Sequence, residues 1–235
     1  MNVTDTLLDP ILRAQAARPL ITYYDQASGE RIELSGTTAA NWAAKTGNMV
    51  RDEFGLAPGD RVAVLLPAHW QTATVLLGAW WAGCEVLAGA AEDAQLAFTT
   101  ADTLAGAGDA EEIAALSLDP FGRALPGLPV GVTDFATTVP GHGDQFQATP
   151  SSDAPALDGM TATSVLARGR AFAEEQGWDS SSRIISTRAW TDAGSIIEGF
   201  IAVLAAGASL IQVANADAAA LGRISASEKA THRIG

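Results

Sequence analysis

Two short loops concentrate most of the side chains that could do chemistry. Pro67-Ala68-His69-Trp70 and Thr187-Arg188-Ala189-Trp190-Thr191-Asp192 together hold two indoles, an imidazole, a guanidinium and a carboxylate. That mixture suits a pocket for a small acyl or aromatic ligand, because such pockets combine apolar walls with a few polar groups. His69, Trp70, Thr187, Arg188, Trp190 and Asp192 are therefore the candidate ligand or interface residues. The same types would also serve a subunit interface, where Trp and Arg are enriched. The plainest reading is packing of the two indoles against helix ends.

Other constellations are poorer. Gly106-Ala-Gly108 and Gly141-His-Gly143 each begin like a dinucleotide fingerprint, but both lack its third glycine and read as loop glycines. His69, His142 and His232 have no metal-ligand spacing, and one cysteine, Cys84, cannot build a structural zinc site or an intrachain disulfide. No metal or cofactor is expected. No Gly-x-Ser-x-Gly is present.

The elements that must position the two loops follow from apolar pattern and punctuation. Val62–Leu66 is an almost unbroken apolar run, as in a strand buried on both faces. It leads through the first loop into a helix that Gly83 stops, and Cys84–Ala88 is a second strand. The plan recurs: strand Arg183–Ser186, the second loop, a helix to Ala206, a stop at Gly207, and strand Ala208–Val213. Ala206-Gly207 stands 124 residues after Ala82-Gly83. Two strand–helix–strand units of this kind imply parallel strands with right-handed crossovers. In open sheets of this type, ligands bind beyond the carboxyl ends of the strands, where both loops lie.

Around these units, a helix is expected over about 4–17 with Thr4 as cap, and a hairpin of Ile21–Tyr24 with Arg31–Leu34. A second helix is expected from Ser35–Thr38 to about Glu53. Strands are expected at Leu96–Thr99, Ile113–Ser117 and Val130–Thr133. Pro140–Pro155 reads as loop, and a helix over Ser164–Gln176 takes Thr163 or Ser164 as cap. The fold class is α/β: parallel-sheet layers with flanking helices, in one domain over 1–235. Two sub-lobes, 1–139 and 160–235 joined by 140–159, are the alternative division.

Composition narrows the function. With 14 basic and 27 acidic residues the net charge is −13, which argues against nucleic-acid binding through clustered Lys and Arg. Hydrophobic residues make up 48%, and mean hydropathy is +0.15, a globular composition. The apolar stretches Thr72–Ala91 and Ser195–Ala214 are each interrupted by a charge and a mid-stretch glycine, so no membrane span is expected. The first basic residue is Arg13, no apolar leader precedes it, and a cytoplasmic location is expected. Arginine supplies 12 of the 14 basic residues and alanine is 47 of 235, as in a GC-rich genome.

Arg18-Pro19-Leu20-Ile21, the run Gly55-Leu56-Ala57-Pro58-Gly59-Asp60-Arg61-Val62-Ala63-Val64-Leu65-Leu66-Pro67, and Leu76-Leu77-Gly78-Ala79 with Ala82-Gly83 resemble the N-terminal part of the adenylate-forming superfamily. That superfamily contains acyl-CoA synthetases, nonribosomal adenylation domains and luciferases. Arg183 to Val213 resembles its later strand–helix–strand. The chain is also similar to a small group of stand-alone actinobacterial proteins that look like a cut-down form of this region. The resemblance implies a Ser/Thr/Gly-rich phosphate loop ending in Pro-Lys-Gly between Asp153 and Arg168. What stands there is Asp153-Ala-Pro-Ala-Leu-Asp-Gly-Met-Thr-Ala-Thr-Ser164, with one glycine and no lysine. Asp158-Gly159 reads as a turn, and Thr161 to Ser164 as helix caps. In the family's next motif a Pro and an aromatic or His should follow the strand; here the Pro is gone, and Thr191 or Asp192 takes the aromatic position. The motifs for adenine, ribose and Mg²⁺, and the domain with the catalytic lysine, would lie beyond residue 235. Lys45 and Lys229 stand in no matching context.

The resemblance thus implies the fold and argues against the activity. The leading expectation is a non-catalytic adenylate-forming-like domain that binds a small molecule or a protein partner. The alternatives are a split or divergent acyl-adenylate or CoA ligase half completed in trans, and a structural homo-oligomeric subunit, expected as a homodimer.

Overall fold

A computed structural model describes residues 2–148 and 153–235 of the chain. The first helix, α1 (Val3–Gln15), turns Val3, Leu7, Leu8 and Ile11 inward. Its cap is Asn2 rather than the expected Thr4: Asn2 accepts the Thr4 N–H at 2.9 Å, and the Thr4 hydroxyl donates to the Leu77 carbonyl. Strands β1 (Pro19–Asp25) and β2 (Glu30–Ser35) form the expected antiparallel hairpin. Ser35 caps α2 (Gly36–Asn48), which continues into a π-helical turn over Met49–Glu53.

The first strand–helix–strand unit is β3 (Arg61–Leu65), α3 (Trp70–Trp81) and β4 (Glu85–Ala88). Helix α3 is buried on every side, so it is apolar all round rather than striped. A Cβ on Gly78 would stand 2.6 Å from Thr46 Cβ and 2.8 Å from the Ala43 carbonyl, so α2 and α3 meet backbone to backbone there. Strands β5 (Leu96–Thr99), β6 (Glu112–Ala115) and β7 (Val132–Asp134) follow, then the short helix α4 (Phe135–Thr138). The segment expected as loop and helix cap contains a small antiparallel hairpin, β8 (Pro155–Leu157) and β9 (Met160–Thr161). The Pro140–Pro155 loop falls partly outside the described residues. Helix α5 (Ala162–Glu175) is capped by Thr161.

The second unit is β10 (Arg183–Ser186), a helix made of α6 (Ala193–Ile196), a π-helical turn at Ile197–Ile201 and α7 (Ala202–Ala205), and then β11 (Ser209–Ala214). Helix α8 (Ala218–Ser227) and β12 (His232–Ile234) complete the chain. No helix is long and apolar enough to cross a membrane among the described residues.

Two sheets result. One has the order β12-β10-β11-β1-β2, the other β7-β6-β5-β3-β4-β8-β9. All pairings are parallel except the two hairpins. Sheet membership crosses the boundaries of the two considered sub-lobes: β1 pairs with β11, and β8 pairs with β4. One core cluster runs from Val3 to Ile234.

In each sheet the parallel strands after one strand are laid down first on one side of it and then on the other. β3 lies between β4 and β5, and β10 lies between β11 and β12. The carboxyl ends of β3 and β10 are thus the switch points, where loops diverge and leave a crevice. The two loops singled out by their chemistry leave from these two strand ends.

Candidate ligand site where the switch points meet

Residues after β3, β5 and β6 and the loop after β10 enclose a cavity of about 700 Å³. Its apolar walls include Leu65, Leu66, Pro67 and Leu118. Its polar lining comes from Thr100, Asp102, Thr103, Ser117 and Thr191. No Arg, Lys or His is among the lining residues, and Asp102 is their only charge. The Thr103 hydroxyl is already engaged: it donates to the Leu65 carbonyl at 2.8 Å and lies 2.8 Å from the Thr99 hydroxyl.

Trp190 closes the cavity from the other sheet. It is 3% exposed, and its ring lies 5.0 Å from that of Phe200. Its seat depends on Gly199 in the π-helical turn, where a Cβ would meet the indole Nε1 at 2.9 Å. The adjoining Thr191 carbonyl would be 3.2 Å from a Cβ on Gly89, which follows β4. Behind this loop the Gln212 amide donates to the Arg188 carbonyl at 3.1 Å. Three buried atoms there, Arg188 Nε, Trp190 Nε1 and Gln212 Oε1, have no partner among the described residues.

The six candidate residues do not form one cluster. Only Trp190 reaches this cavity. Arg188 is held by Glu198 at 2.6 Å. Asp192 caps α6 through the Ser195 N–H at 2.8 Å, in a reciprocal capping box. The Thr187 N–H extends the β12 edge by donating to the Ile234 carbonyl. His69 caps α3: Nδ1 accepts the Gln71 N–H at 3.1 Å, so in the neutral ring Nε2 carries the proton. The ring is 2% exposed, lies edge-on to Tyr23 at 4.3 Å, and has Nε2 3.6 Å from Glu30 Oε1. Trp70 is core: it crosses Trp42 at 5.6 Å and donates to Glu30. The hydroxyls of Thr100, Thr103 and Ser117 escaped sequence reasoning. The strand-end rule would have found them once β5 and β6 were known to run parallel to β3.

The stretch that the family resemblance assigns to a phosphate loop is the β8–β9 turn. Asp158 and Gly159 have φ of 43° and 78°, the left-handed pair of a tight hairpin. The N–H groups that could face a phosphate are taken by this chain's own carboxylates. Gly159 donates to Glu85 Oε1 at 2.6 Å, and Thr163 donates to Asp153 Oδ1 at 3.0 Å. Asp158 Oδ1 in turn accepts the Ala88 N–H at 3.0 Å. Burial, with Glu85 and Asp192 nearby, raises the Asp158 pKa above the ordinary carboxylate value. Lys45 is far along the chain and engaged, donating to the carbonyls of Pro140 and His142. A nucleoside triphosphate does not fit this donor set, because phosphate needs free N–H groups and a cation. Cys84 is buried, and burial with Asp60 nearby pushes its thiol up to about 12, the state of a packing residue.

The fold is that of the N-terminal part of the adenylate-forming ligases. An acyl-CoA synthetase from Brucella canis superposes with a TM-score of 0.82 at 19% identity, over 99% of this chain and 47% of its own. MatB from Rhodopseudomonas palustris gives 0.76 at 16% identity, over 99% and 49%. The anthranilate CoA ligase AuaEII, solved with anthranoyl-AMP, gives 0.72 at 14% identity, over 92% and 45%. The chain spans about half the length of these ligases. No protein-family model matches it. A Mycobacterium tuberculosis protein, named as a TIGR03089 family protein, is 50% identical over 237 residues, 98% of this chain and 97% of its own length. The chain belongs to the TIGR03089 family.

Proposed function

We propose that this chain is a non-catalytic member of the adenylate-forming fold that binds a small, uncharged, partly apolar molecule in the switch-point cavity. The observation that carries the reading is the Asp158-Gly159 hairpin, whose neighbouring N–H groups are capped by Glu85 and Asp153. Adenylation develops charge on phosphate, and here the phosphate would meet three carboxylates. The cavity adds a second argument. Its wall offers hydroxyls and an indole but no cation, so an anionic carboxylate gains no partner there and faces Asp102.

Calorimetric titration tests this with named probes. ATP with Mg²⁺ is expected to give no saturable heat up to millimolar nucleotide. Benzamide, an uncharged aromatic, is expected to bind and to change Trp190 fluorescence, and benzoate to bind at least about tenfold more weakly. ATP-dependent formation of an acyl-adenylate by the pure protein would sink the reading.

A further inference from the structure

A second cavity lies at the opposite end of the five-stranded sheet, where β1 and β11 begin. Its volume is about 310 Å³, within the range of small-ligand pockets. Leu7, Pro10 and Ile11 of α1, with Leu20, Leu204 and Ala205, give it mostly apolar walls. Its lining also includes two arginines, Arg18 and Arg170.

In a protein of net charge −13, seven of the twelve arginines hold a carboxylate among the described residues. Arg18 and Arg170 belong to the five that do not, with Arg168, Arg223 and Arg233, and of these five only Arg18 and Arg170 line this cavity. Arg18 is positioned by one nitrogen, Nη1, which donates to Gln15 Oε1 and to the Ser180 carbonyl, both at 2.8 Å. The ends of α1 and α7 also face this cavity and oppose an anion. A helix end carries only about half a charge. These carbonyls are partly answered, Leu204 by the Gly207 N–H at 2.9 Å and Gln15 by the Arg18 N–H at 3.0 Å. Two full positive charges outweigh them.

We propose that this cavity binds a short- to medium-chain fatty carboxylate, with the alkyl chain against α1 and α7 and the carboxylate against Arg18 and Arg170. The apolar walls answer the chain and the unpaired guanidinium groups answer the head. This site is separate from the switch-point cavity and does not depend on the reading given for it.

Titration of the full chain with octanoate and dodecanoate, each below its micelle-forming concentration, should show saturable one-to-one binding. Arg170 is exposed on α5, so Arg170→Ala leaves the fold intact and should weaken binding about tenfold, as loss of one charge-assisted contact does. Octanol should bind weaker than octanoate by a similar factor. Ala14→Phe, at an exposed position of α1 that lines the cavity, should block it. Absence of saturable binding to either acid overturns the proposal. So does equal affinity for octanol, undiminished binding to the Arg170→Ala variant, or displacement of the acid by benzamide, which would place it in the other cavity.

Discussion

Glu85 Oε1 accepts the Gly159 N–H at 2.6 Å, and through that bond a strand of the parallel sheet fastens the hairpin that occupies the expected phosphate-loop position. The Glu85 side chain is largely buried, 13% exposed, so the bond is charge-assisted and shielded. Glu85→Ala leaves the Gly159 N–H without its acceptor and should cost about 1–2 kcal/mol in chemical unfolding. It should not create ATP binding, because Asp153 and Asp158 still face the same turn. Millimolar ATP affinity in that variant would show that Glu85 alone had been blocking a competent loop.

The close approach of α2 and α3 gives a sharper stability test. Gly78 was legible in the sequence only as part of a family-like run; its reason is the 2.6 Å that a Cβ would have to Thr46 Cβ. Neither helix can yield, since α3 is buried on every side and Thr46 is fully buried. Gly78→Val should therefore lower stability by about 3 kcal/mol or more, whereas Gly222→Ala, where an added Cβ meets nothing beyond its own helix among the described residues, should change it little. Equal unfolding midpoints for the two variants would contradict the packing account.

Acid should loosen the five-stranded sheet through Glu228. This carboxylate is mostly buried, which alone would raise its pKa. Hydrogen bonds from Tyr24, Arg31 and Arg183 outweigh burial and hold it at about 2. A folded-state pKa below the unfolded one stabilises the protein fully above the unfolded value near 4.5, and the gain is lost as pH falls toward 2. The contribution is on the order of 2 kcal/mol, and it ties β1, β2 and β10 to the end of α8. Glu228→Gln should be less stable than the parent at pH 7, and the gap should close between pH 4.5 and pH 2. A gap that stays constant over that window would show that the network acts through shape rather than charge.

Both strand–helix–strand units were legible, because each strand has an apolar centre, each loop breaks the run, and each helix ends in a glycine of positive φ, Gly83 and Gly207. The expected strands at Leu96–Thr99 and Arg183–Ser186 match the observed bounds. The β8–β9 hairpin, α8 and β12 were not read. β8 and β9 are three and two residues long and are held by β4, a partner far away in sequence. β12 is three residues beside β10. The site was legible by half for the same reason. The rule that ligands gather at strand ends picked out the loop of Trp190. The hydroxyls of Thr100 and Ser117 join it only because sheet order places β5 and β6 beside β3. His69 and Trp70 share that loop's chemistry but point toward the β1–β2 hairpin, where Glu30 accepts from the Trp70 indole and stands 3.6 Å from His69 Nε2.

The lone charge of the switch-point cavity should set its preference among ligands. Asp102 sits in the exposed loop after β5, so its effect on a bound molecule is screened and modest rather than decisive. Asp102→Asn should leave benzamide affinity nearly unchanged and tighten benzoate by a few-fold, about 0.5–1 kcal/mol. The benzamide preference should shrink but survive, since no guanidinium or ammonium lines the wall to reward the anion. Gly199→Val acts on the opposite wall. Its side chain would take the space now filled by the Trp190 indole, drive that ring toward the cavity and weaken benzamide. If both substitutions left the two affinities unchanged, the probes would be binding elsewhere, and the switch-point cavity would lose its claim to be the site.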